Sequence, residues 1–441
     1  MFAKILIPTD LSEQSERIIA RVGRMKNVRE IILLHILDNS HHGSNRKDPG
    51  HAPGSAESTA REKLNHQRDL IRDRKIIVRL ILQENSGGSI PEGVLKTAET
   101  ERPSLIVMGA RKGLLSGSLL GHGSTAVLSS GRTHILVMRF PERGLLSPAV
   151  PEDTAGNICT KILFPLDFSK PAKSALSYLA VLDGVNEVIL LHVIRKIERQ
   201  ENLNLEVREV EKRLSDAREI LRKTHPEVRV KMMVRFGNPS RQICRVSSEE
   251  QVSLIMMSRF GKMDYLKKIP LGTTTAKVAQ EAKKPVLILY TDIRLTVHVR
   301  ELCSDEFYCA EKIWIDYHQT KSDPDNDRIF CVFVEDTPVS VARCKQHPDG
   351  CEIDGIFTWK EFRGKGYAKK AVQTLIDRCG DQVLYMYAVA PLVKFYSSFG
   401  FEPIRERDLP ATIRERYAWA MGDMNAAEVC PMRRVPDLKK R

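Results

Sequence analysis

The chain has 441 residues, a length that favours two or three domains over a single core. Its hydrophobic content of 42% and charged content of 28% are typical of soluble globular proteins, and no apolar run approaches the ~20 residues that a membrane-spanning helix needs. The formal charge of +13 could suit nucleic acid, but acids and bases are mixed along the predicted helices. This mixing argues against nucleic-acid binding, and a simpler role for the positive charge is the attraction of phosphate-bearing ligands.

The cysteines and the N-terminus indicate a reducing compartment. Nine cysteines lie between Cys159 and Cys430, and none forms a CxxC pair. This spacing fits neither a disulfide framework nor a zinc site, so we expect free thiols and no bound metal. The start of the chain, MFAKILIPTD, is typical of a strand rather than of a secretory leader. We therefore expect a cytoplasmic protein without a membrane partner.

The first two-thirds of the chain contain an internal repeat. KILIPTDLS at 4–12 returns as KILFPLDFS at 161–169, an offset of 157 (161 minus 4) that also relates His35 to His192. In each copy an amphipathic helix follows the first apolar strand, and a second apolar strand comes next. This alternation predicts doubly wound α/β units with parallel sheets. The two histidines lie within apolar strands, which favours packing positions over ligand positions.

Each copy closes with a strand, a glycine-rich loop and a helix. Together with the PTD or PLD turn and the LLH strand, this order resembles the universal stress protein family over residues 1–145 and 157–292. The resemblance implies an adenine nucleotide, ATP or AMP, with loop amides and hydroxyls on its phosphates and the first-strand Asp near its ribose. The positions that match this nucleotide site are Pro8, Asp10, Met108, Gly109, Gly113 and Gly121 in the first copy, and Pro165, Asp167, Gly261, Gly272 and Thr273 in the second.

Both glycine loops depart from the family pattern. Only seven residues separate Gly113 from Gly121 in the first copy, and Ser258 replaces the first glycine in the second. A second interpretation is therefore a structural or dimerising scaffold that binds no nucleotide. In that case Asp10 and Asp167 would simply cap the helices that follow them.

Residues 141–157, PERGLLSPAVPEDTAGN, are rich in proline, glycine and acids, which is typical of a linker. We therefore expect the two copies to be separate domains. A third domain, residues 295–435, begins with a strand and a helix, followed by two strands that a turn at 336–338 joins.

The stretch EFRGKGYAKKAVQTLIDRCG, from Glu361 to Gly380, carries the strongest functional signal. A predicted strand at 352–358 precedes it, and apolar positions at helical spacing follow the RGKG turn. Small residues let the backbone approach a ligand closely, and the start of a helix holds anions through its amides and its dipole. The sequence therefore predicts an anion site at this turn.

RGKGYA after one strand and KFYSSFGFEPI after the next resemble the GNAT acetyltransferase superfamily, an α+β fold, over about residues 295–430. The matching positions are Arg363, Gly366 and Ala368 in the first motif, and Phe395, Tyr396, Gly400 and Phe401 in the second. The resemblance implies acetyl-CoA in a cleft between two splayed parallel strands. The residues implied to hold it are Ile356, Phe357 and Thr358 beside the pantetheine, and Arg363, Gly364, Lys365, Gly366, Tyr367 and Ala368 at the pyrophosphate.

Acetyl transfer from a thioester to an amine needs a base and an acid. Strand alternation places Glu352 and Asp354 on one face ahead of the glycine turn, so either could take the ammonium proton. Glu352 stands where some family members carry a catalytic glutamate; the alternative is a solvent-facing acidic pair. Tyr396 matches the family's tyrosine that protonates the leaving thiolate, a role that suits a phenol of pKa ~10, and the alternative is a packing tyrosine.

The sequence thus predicts an acetyl-CoA-dependent N-acetyltransferase. Its two N-terminal domains would bind an adenine nucleotide or mediate homodimerisation, and so regulate or target the transferase. The acceptor is an amine, either a protein lysine or a small molecule. The competing hypothesis is a non-enzymatic stress-response scaffold that binds nucleotide and acyl-CoA through an inactive GNAT domain.

Overall fold

The computed structural model describes residues 2–37, 55–85, 88–110, 126–129, 132–139, 158–195, 200–261, 264, 266, 271–291, 295–315, 317, 320–416 and 429–436. The chain divides into two compact units, Met1–Ile293 and Arg294–Arg441. Among the helices in these ranges, none combines the length and the apolar character needed to cross a membrane.

The first unit contains the two sequence copies. The first copy consists of β1 (Lys4–Pro8), α1 (Glu13–Val22), β2 (Glu30–Leu37), α2 (Ser55–Asp69), β3 (Ile77–Glu84), α3 (Ile90–Glu101), β4 (Leu105–Gly109) and β5 (His134–Met138). The second copy consists of β6 (Lys161–Pro165), α4 (Lys170–Leu176), β7 (Glu187–Ile194), α5 (Gln200–Thr224), β8 (Arg229–Phe236), α6 (Pro239–Glu249), β9 (Leu254–Ser258), α7 (Thr273–Glu281) and β10 (Val286–Leu289).

Within the described residues, these strands form one sheet of ten in the order β3-β2-β1-β4-β5-β10-β9-β6-β7-β8. Neighbouring strands are parallel inside each copy, which confirms the doubly wound prediction. The linker suggested that the two copies are separate domains. Instead they share one sheet, because β5 pairs antiparallel with β10 and Leu136 lies opposite Leu287. Each copy ends in an edge strand with unpaired backbone groups, and this pairing satisfies both edges. The proposed boundaries at 145 and 157 fall outside the described residues.

Both faces of this sheet are buried, so its strands are apolar at consecutive positions. Ile5 and Ile7 face the layer that contains Ile18 of α1, whereas Leu6 faces the opposite layer with Val94 of α3. All five of these side chains are at most 3% exposed. Helices on both faces therefore leave the loops at the carboxyl ends of the strands free to form ligand sites.

The second unit contains β11 (Val297–Glu301), α8 (Tyr308–Trp314), β12 (Asp327–Val334), β13 (Thr337–His347), β14 (Gly350–Thr358), α9 (Tyr367–Cys379), β15 (Leu384–Val389), α10 (Val393–Ser397), β16 (Glu402–Pro403) and β17 (Val429–Arg434). Their sheet has the order β11-β12-β13-β14-β15-β17-β16, and it is antiparallel except between β14 and β15. This is the predicted α+β architecture.

Strands β14 and β15 pair over a short distance only. Cys351 lies opposite Leu384 and Glu352 lies opposite Tyr385, and beyond these two pairs the strands diverge. A register shift between β13 and β14 places a bulge in the same stretch, where Gly355 has a φ of 58°. Trp314 Nε1 donates a hydrogen bond to the Gly355 carbonyl at 2.7 Å, so the bulge packs directly on a buried indole.

Gly355→Ala should destabilise the second unit by about 3 kcal/mol, because the new side chain combines a left-handed backbone with a steric clash. A Cβ at this position would lie 2.8 Å from Trp314 Cζ2. Urea unfolding followed by tryptophan fluorescence reports on this unit alone, since all three tryptophans (Trp314, Trp359 and Trp419) belong to it.

Gly364→Ala is the matched control for this substitution. Gly364 also has a positive φ, 75°, but its added Cβ would meet nothing within 4 Å. We expect it to cost only about 1 kcal/mol. Equal costs for the two variants would show that the contact with Trp314 does not contribute.

The junction between the two copies contains a buried histidine. His134 of β5 accepts the Tyr290 N–H through Nδ1 at 3.2 Å, and it packs edge-on against Phe2 and Tyr178 with ring centroids 5.9 and 5.0 Å away. Burial lowers the pKa of His134 to about 4. The folded unit therefore favours the neutral imidazole, whereas in the unfolded chain the imidazole titrates near its ordinary pKa of 6.5.

The first unit should lose stability as pH falls from 6.5 toward 4, because the unfolded state binds the His134 proton first. Between pH 7 and pH 4.5 we expect wild type to lose about 1–2 kcal/mol more than His134→Gln, which keeps an acceptor without a titrating ring. Urea unfolding monitored by circular dichroism measures the difference. Identical pH profiles for the two proteins would contradict the assignment.

Candidate functional site

The divergence of β14 and β15 opens a cavity of about 460 Å³ in the second unit. Its lining includes Asp354 and Ile356 of β14, Tyr387 of β15, Tyr396 of α10 and Arg416. Beyond Glu352 the facing edges of the two strands no longer hydrogen-bond to each other. Their peptide groups are therefore available to an extended ligand that carries amides, such as a pantetheine arm.

The predicted anion turn is open. Gly366 is the N-cap of α9 with a φ of 78°, and no described side chain caps this helix. A Cβ at Gly364 or at Gly366 would meet nothing within 4 Å, so the backbone is accessible. Arg363 anchors the turn to the end of β14, because its Nε donates to the Thr358 carbonyl at 3.0 Å and its guanidinium lies over the Phe357 ring.

The remaining predicted cofactor residues have different environments. Ile356 faces the cavity, whereas the Thr358 hydroxyl is buried against Ser340 at 2.7 Å. The Phe357 ring packs at 5.3 Å from Tyr317, which also lines the cavity. Before α9, the Lys365 amine lies 5.3 Å from the Phe362 ring centroid. In the first turn of α9, Tyr367 is buried and Ala368 follows it. Thr358 and Phe357 can therefore contribute their backbone rather than their side chains.

The two predicted carboxylates lie on the same side of β14, as strand alternation predicted. Arg416 contacts both, with Nε 2.8 Å from Glu352 Oε2 and Nη2 2.9 Å from Asp354 Oδ2. The contact with Glu352 is an ion pair without hydrogen-bond alignment. Glu352 is 0% exposed, so the alternative of a solvent-facing acidic pair is wrong.

Both oxygens of the Asp354 carboxylate accept hydrogen bonds from arginine side chains. Arg343 binds it in a bidentate arrangement, with both nitrogen–oxygen distances 2.6 Å, and also contacts Asp327 at 3.1 Å. Desolvation lowers the pKa of Arg343, but the Asp354 and Asp327 carboxylates together outweigh it and raise this pKa. With two guanidinium groups on its oxygens, Asp354 is better suited to positioning arginines than to accepting a proton.

Glu352 has a different set of neighbours. His347 Nε2 lies 2.8 Å from Glu352 Oε2 in the protein interior. Glu352 does not line the cavity, but Tyr387 does, and burial together with the Glu352 carboxylate raises the pKa of the Tyr387 phenol. Tyr387 therefore connects the cavity to the buried carboxylate.

Tyr396, the predicted acid, lines the cavity and is only 6% exposed. Its ring packs edge-on against Phe395 at 5.0 Å. Burial raises the pKa of Tyr396, with a smaller contribution from Tyr317, so the phenol carries its proton at neutral pH. Tyr396 thus lies at the cavity with its proton in place, and its role as the acid stays a prediction.

Sequence reasoning missed several residues of this site. Tyr317, Tyr387, Arg343, His347 and Arg416 were not predicted. Tyr387 lies two residues after Tyr385, where the parallel pairing with β14 ends, and the alternation in LYMYAV could have placed both tyrosines on one face. Nothing in the sequence links Arg416 to Asp354, which lies 62 residues earlier.

The first copy of the first unit carries a cavity of about 460 Å³ at the carboxyl ends of β1 and β4. The strand order reverses between these two strands, which is where open α/β sheets bind ligands. Four predicted nucleotide residues line it: Pro8, Asp10, Met108 and Gly109. Gly113 and Gly121 lie outside the described residues.

The second copy has a corresponding cavity of about 400 Å³. Four of the predicted residues line it: Pro165, Asp167, Gly261 and Thr273. Gly272 is the N-cap of α7, and a Cβ there would lie 3.0 Å from the Arg259 carbonyl. The two copies therefore place equivalent residues around equivalent cavities.

The aspartates at these cavities do not cap the helices directly. Ser12 and Ser169 are the N-caps, and each accepts the N–H three residues further on. Asp10 Oδ1 accepts from the Ser12 hydroxyl at 2.5 Å, and Asp167 Oδ1 accepts from the Ser169 hydroxyl at 2.6 Å. The alternative that Asp10 and Asp167 cap these helices is thus wrong. The serine two residues later is the cap, and the aspartate orients its hydroxyl.

The repeated histidines hold the same turns. His35 Nδ1 lies 2.9 Å from the Thr9 carbonyl, and His192 Nδ1 lies 2.7 Å from the Leu166 carbonyl. Burial lowers the pKa of His192. No group of acidic, histidine or cysteine side chains that could hold a metal occurs among the described residues.

Comparison with known proteins agrees with this architecture. The universal stress protein family model matches residues 1–139 and 159–289, more than half of the chain. The chain belongs to the universal stress protein family. Universal stress protein MJ0577 of Methanocaldococcus jannaschii is 34% identical over 152 residues, which is 29% of this chain and 93% of that protein. A universal stress protein structure from Archaeoglobus fulgidus is 21% identical, with a TM-score of 0.44, over 65% of this chain and 95% of its own.

The second unit matches a different family. The model of the acetyltransferase (GNAT) family matches residues 296–401, which supports N-acetyl transfer as the general activity and implies the use of acetyl-CoA. The structure of the ribosomal-protein-S18-alanine N-acetyltransferase of Escherichia coli is 14% identical, with a TM-score of 0.25, over 33% of this chain and 98% of its own. Both predicted resemblances are confirmed.

Arg416→Met should destabilise the second unit by about 3 kcal/mol, because it leaves the fully buried Glu352 without its guanidinium. Combining it with Glu352→Gln should cost about 1–3 kcal/mol less than the sum of the two single substitutions. Tryptophan-monitored urea unfolding measures the cycle. Arg405→Met removes an exposed pair with Asp408 and should cost less than about 0.5 kcal/mol. Strict additivity would refute the coupling.

Proposed function

We propose that the second unit transfers an acetyl group from acetyl-CoA to an amine within the cavity between β14 and β15, and that the first unit binds an adenine nucleotide that regulates or targets this reaction. One observation supports the proposal most directly: the Tyr396 and Tyr387 side chains line the same cavity, and the Tyr387 phenol interacts with the buried Glu352 carboxylate. The open start of α9 follows the same strand that forms one wall of this cavity.

The residues present fit acetyl-CoA. The first amides of α9 after Gly366 would take the pyrophosphate, since an uncapped helix start attracts anions. The peptide edge of β14 from Asp354 to Thr358 would bind the pantetheine amides. The bound cofactor supplies the acetyl thioester, and the rest of the reaction depends on side chains of the cavity.

An amine attacks only after losing its ammonium proton. Arg416 has no lone pair to accept it, and both oxygens of Asp354 already accept hydrogen bonds from guanidinium groups. Glu352 Oε1 accepts no hydrogen bond within the described residues, but the residue lies behind the cavity wall. In the proposed path, the Tyr387 hydroxyl takes the proton from the amine as it passes its own to Glu352, with His347 fixing the carboxylate. Asp354 and Arg343 are then positioning residues.

Tyr396 acts on the leaving group in this proposal. A phenol with a raised pKa is a weak acid, so complete transfer of its proton to a thiolate is less favourable than hydrogen-bond donation to the departing sulfur. That donation stabilises the negative charge that develops on sulfur. The acceptor amine belongs to a protein lysine or to a small molecule, and an acetyl acceptor panel distinguishes them.

Tyr396→Phe should lower kcat by about 10²-fold, because it removes the donor to the leaving sulfur while leaving the ring packing intact. The dissociation constant for acetyl-CoA, measured by calorimetry, should stay within about twofold. The assay follows release of free thiol with a panel of amines and lysine peptides. Tyr385→Phe is the control, since this tyrosine on β15 packs against the Leu409 cluster rather than lining the cavity.

The scaffold hypothesis is supported by the ion pairs that Glu352 and Asp354 both form with arginine. It predicts clear binding of acetyl-CoA, no thiol release with any amine, and no effect of Tyr396→Phe. That combination would overturn the enzymatic proposal. Homodimerisation and a cytoplasmic location stay predictions.

A further inference from the structure

In the second copy, a carboxylate of the chain occupies the start of the helix beside the cavity. Asp264 Oδ2 accepts the Thr273 N–H at 3.0 Å and lies 3.4 Å from the Thr273 hydroxyl. Thr273 is the first residue of α7, the helix that begins beside the nucleotide-type cavity. A Cβ at Gly272 would lie 3.2 Å from the same oxygen, so the carboxylate packs closely over the helix start.

A phosphate and a carboxylate use the same donors at a helix N-terminus. Both accept backbone N–H groups and both are favoured by the positive end of the helix dipole. Because each N–H can satisfy only one such acceptor well, an anion from solution must displace Asp264 or bind beside it. Binding beside it brings two negative charges together, which is unfavourable.

The charge around the cavity is a second, independent observation. The described lining of the second cavity contains three carboxylates (Asp167, Glu206 and Asp264) and one guanidinium, Arg195. The described lining of the first cavity contains only the Asp10 carboxylate. The described lining of the second cavity therefore carries more carboxylates than that of the first.

We propose that Asp264 acts as an internal substitute for a phosphate, so that the second copy rejects nucleoside polyphosphates and the first copy alone binds them. This rests on the proposed nucleotide function of the first unit. In this proposal, the first copy has a nucleotide site, and the corresponding site of the second copy is occupied by the Asp264 carboxylate. Asp264 is a specificity-determining residue for which the sequence repeat offers no equivalent acid in the first loop.

Equilibrium dialysis of the full chain with Mg-ATP tests the proposal. Wild type should bind one ATP per chain, and Asp264→Ala should bind two, with second-copy affinity raised at least tenfold. Photolabelling with 8-azido-ATP and peptide mapping identifies the copy, which should be residues 1–139 in wild type. Asp216→Ala, which removes an exposed acid of α5, is the control and should leave the stoichiometry at one.

Asp264→Asn provides a variant that keeps a neutral acceptor for the Thr273 N–H and so preserves the helix start. It should also gain second-copy labelling, since the charge is removed. Equal labelling of both copies in wild type, or no gain in either variant with native circular dichroism, would overturn the proposal while leaving nucleotide binding intact. Absence of ATP binding in wild type and in both variants would overturn the proposed nucleotide function itself.

Discussion

The packing of Gly355 on Trp314 is the constraint on which the candidate active site depends. A glycine with a positive φ lets β14 bend over the indole, and the indole N–H satisfies the carbonyl that the bulge removes from the ladder. Parallel pairing with β15 has ended three residues earlier, at Glu352. The cavity exists because β14 and β15, neighbouring strands of one sheet, separate after Glu352. At the bulge, the Trp314 indole N–H donates to the Gly355 carbonyl, so this backbone group keeps a hydrogen bond.

Charge is distributed through the cavity wall as a connected chain. Asp327, Arg343, Asp354, Arg416 and Glu352 follow one another, each within 3.1 Å of the next, and His347 ends the chain at 2.8 Å from Glu352. Buried charges of this kind persist only when each has partners of opposite sign. Removal of any one member therefore affects its neighbours as well as itself. The described cavity lining also contains four side chains that carry hydroxyls: Tyr317, Thr320, Tyr387 and Tyr396.

The first unit shows how duplication and divergence coexist in one sheet. The Asp–Ser–histidine arrangement that holds the turn after the first strand is the same in both copies, with matching contacts at Asp10 and Asp167. Asp264, in the segment after β9, supplies a carboxylate to the start of the following helix, whereas residues 110–125 after β4 contain no acid. The scaffold of the site is conserved between the copies, whereas the part that would contact phosphate is not.

Local pattern alone determined the repeat, the parallel α/β class and the helix that begins after the RGKG turn and ends at Gly380, because periodicity and glycine placement act over a few residues. It also placed Glu352 and Asp354 on one side of β14. Tertiary structure decided what those carboxylates touch, since Arg343 and Arg416 reach them from residues 11 and 62 positions away from Asp354. It likewise joined the two copies through β5 and β10, a pairing between distant edges that no short-range signal encodes.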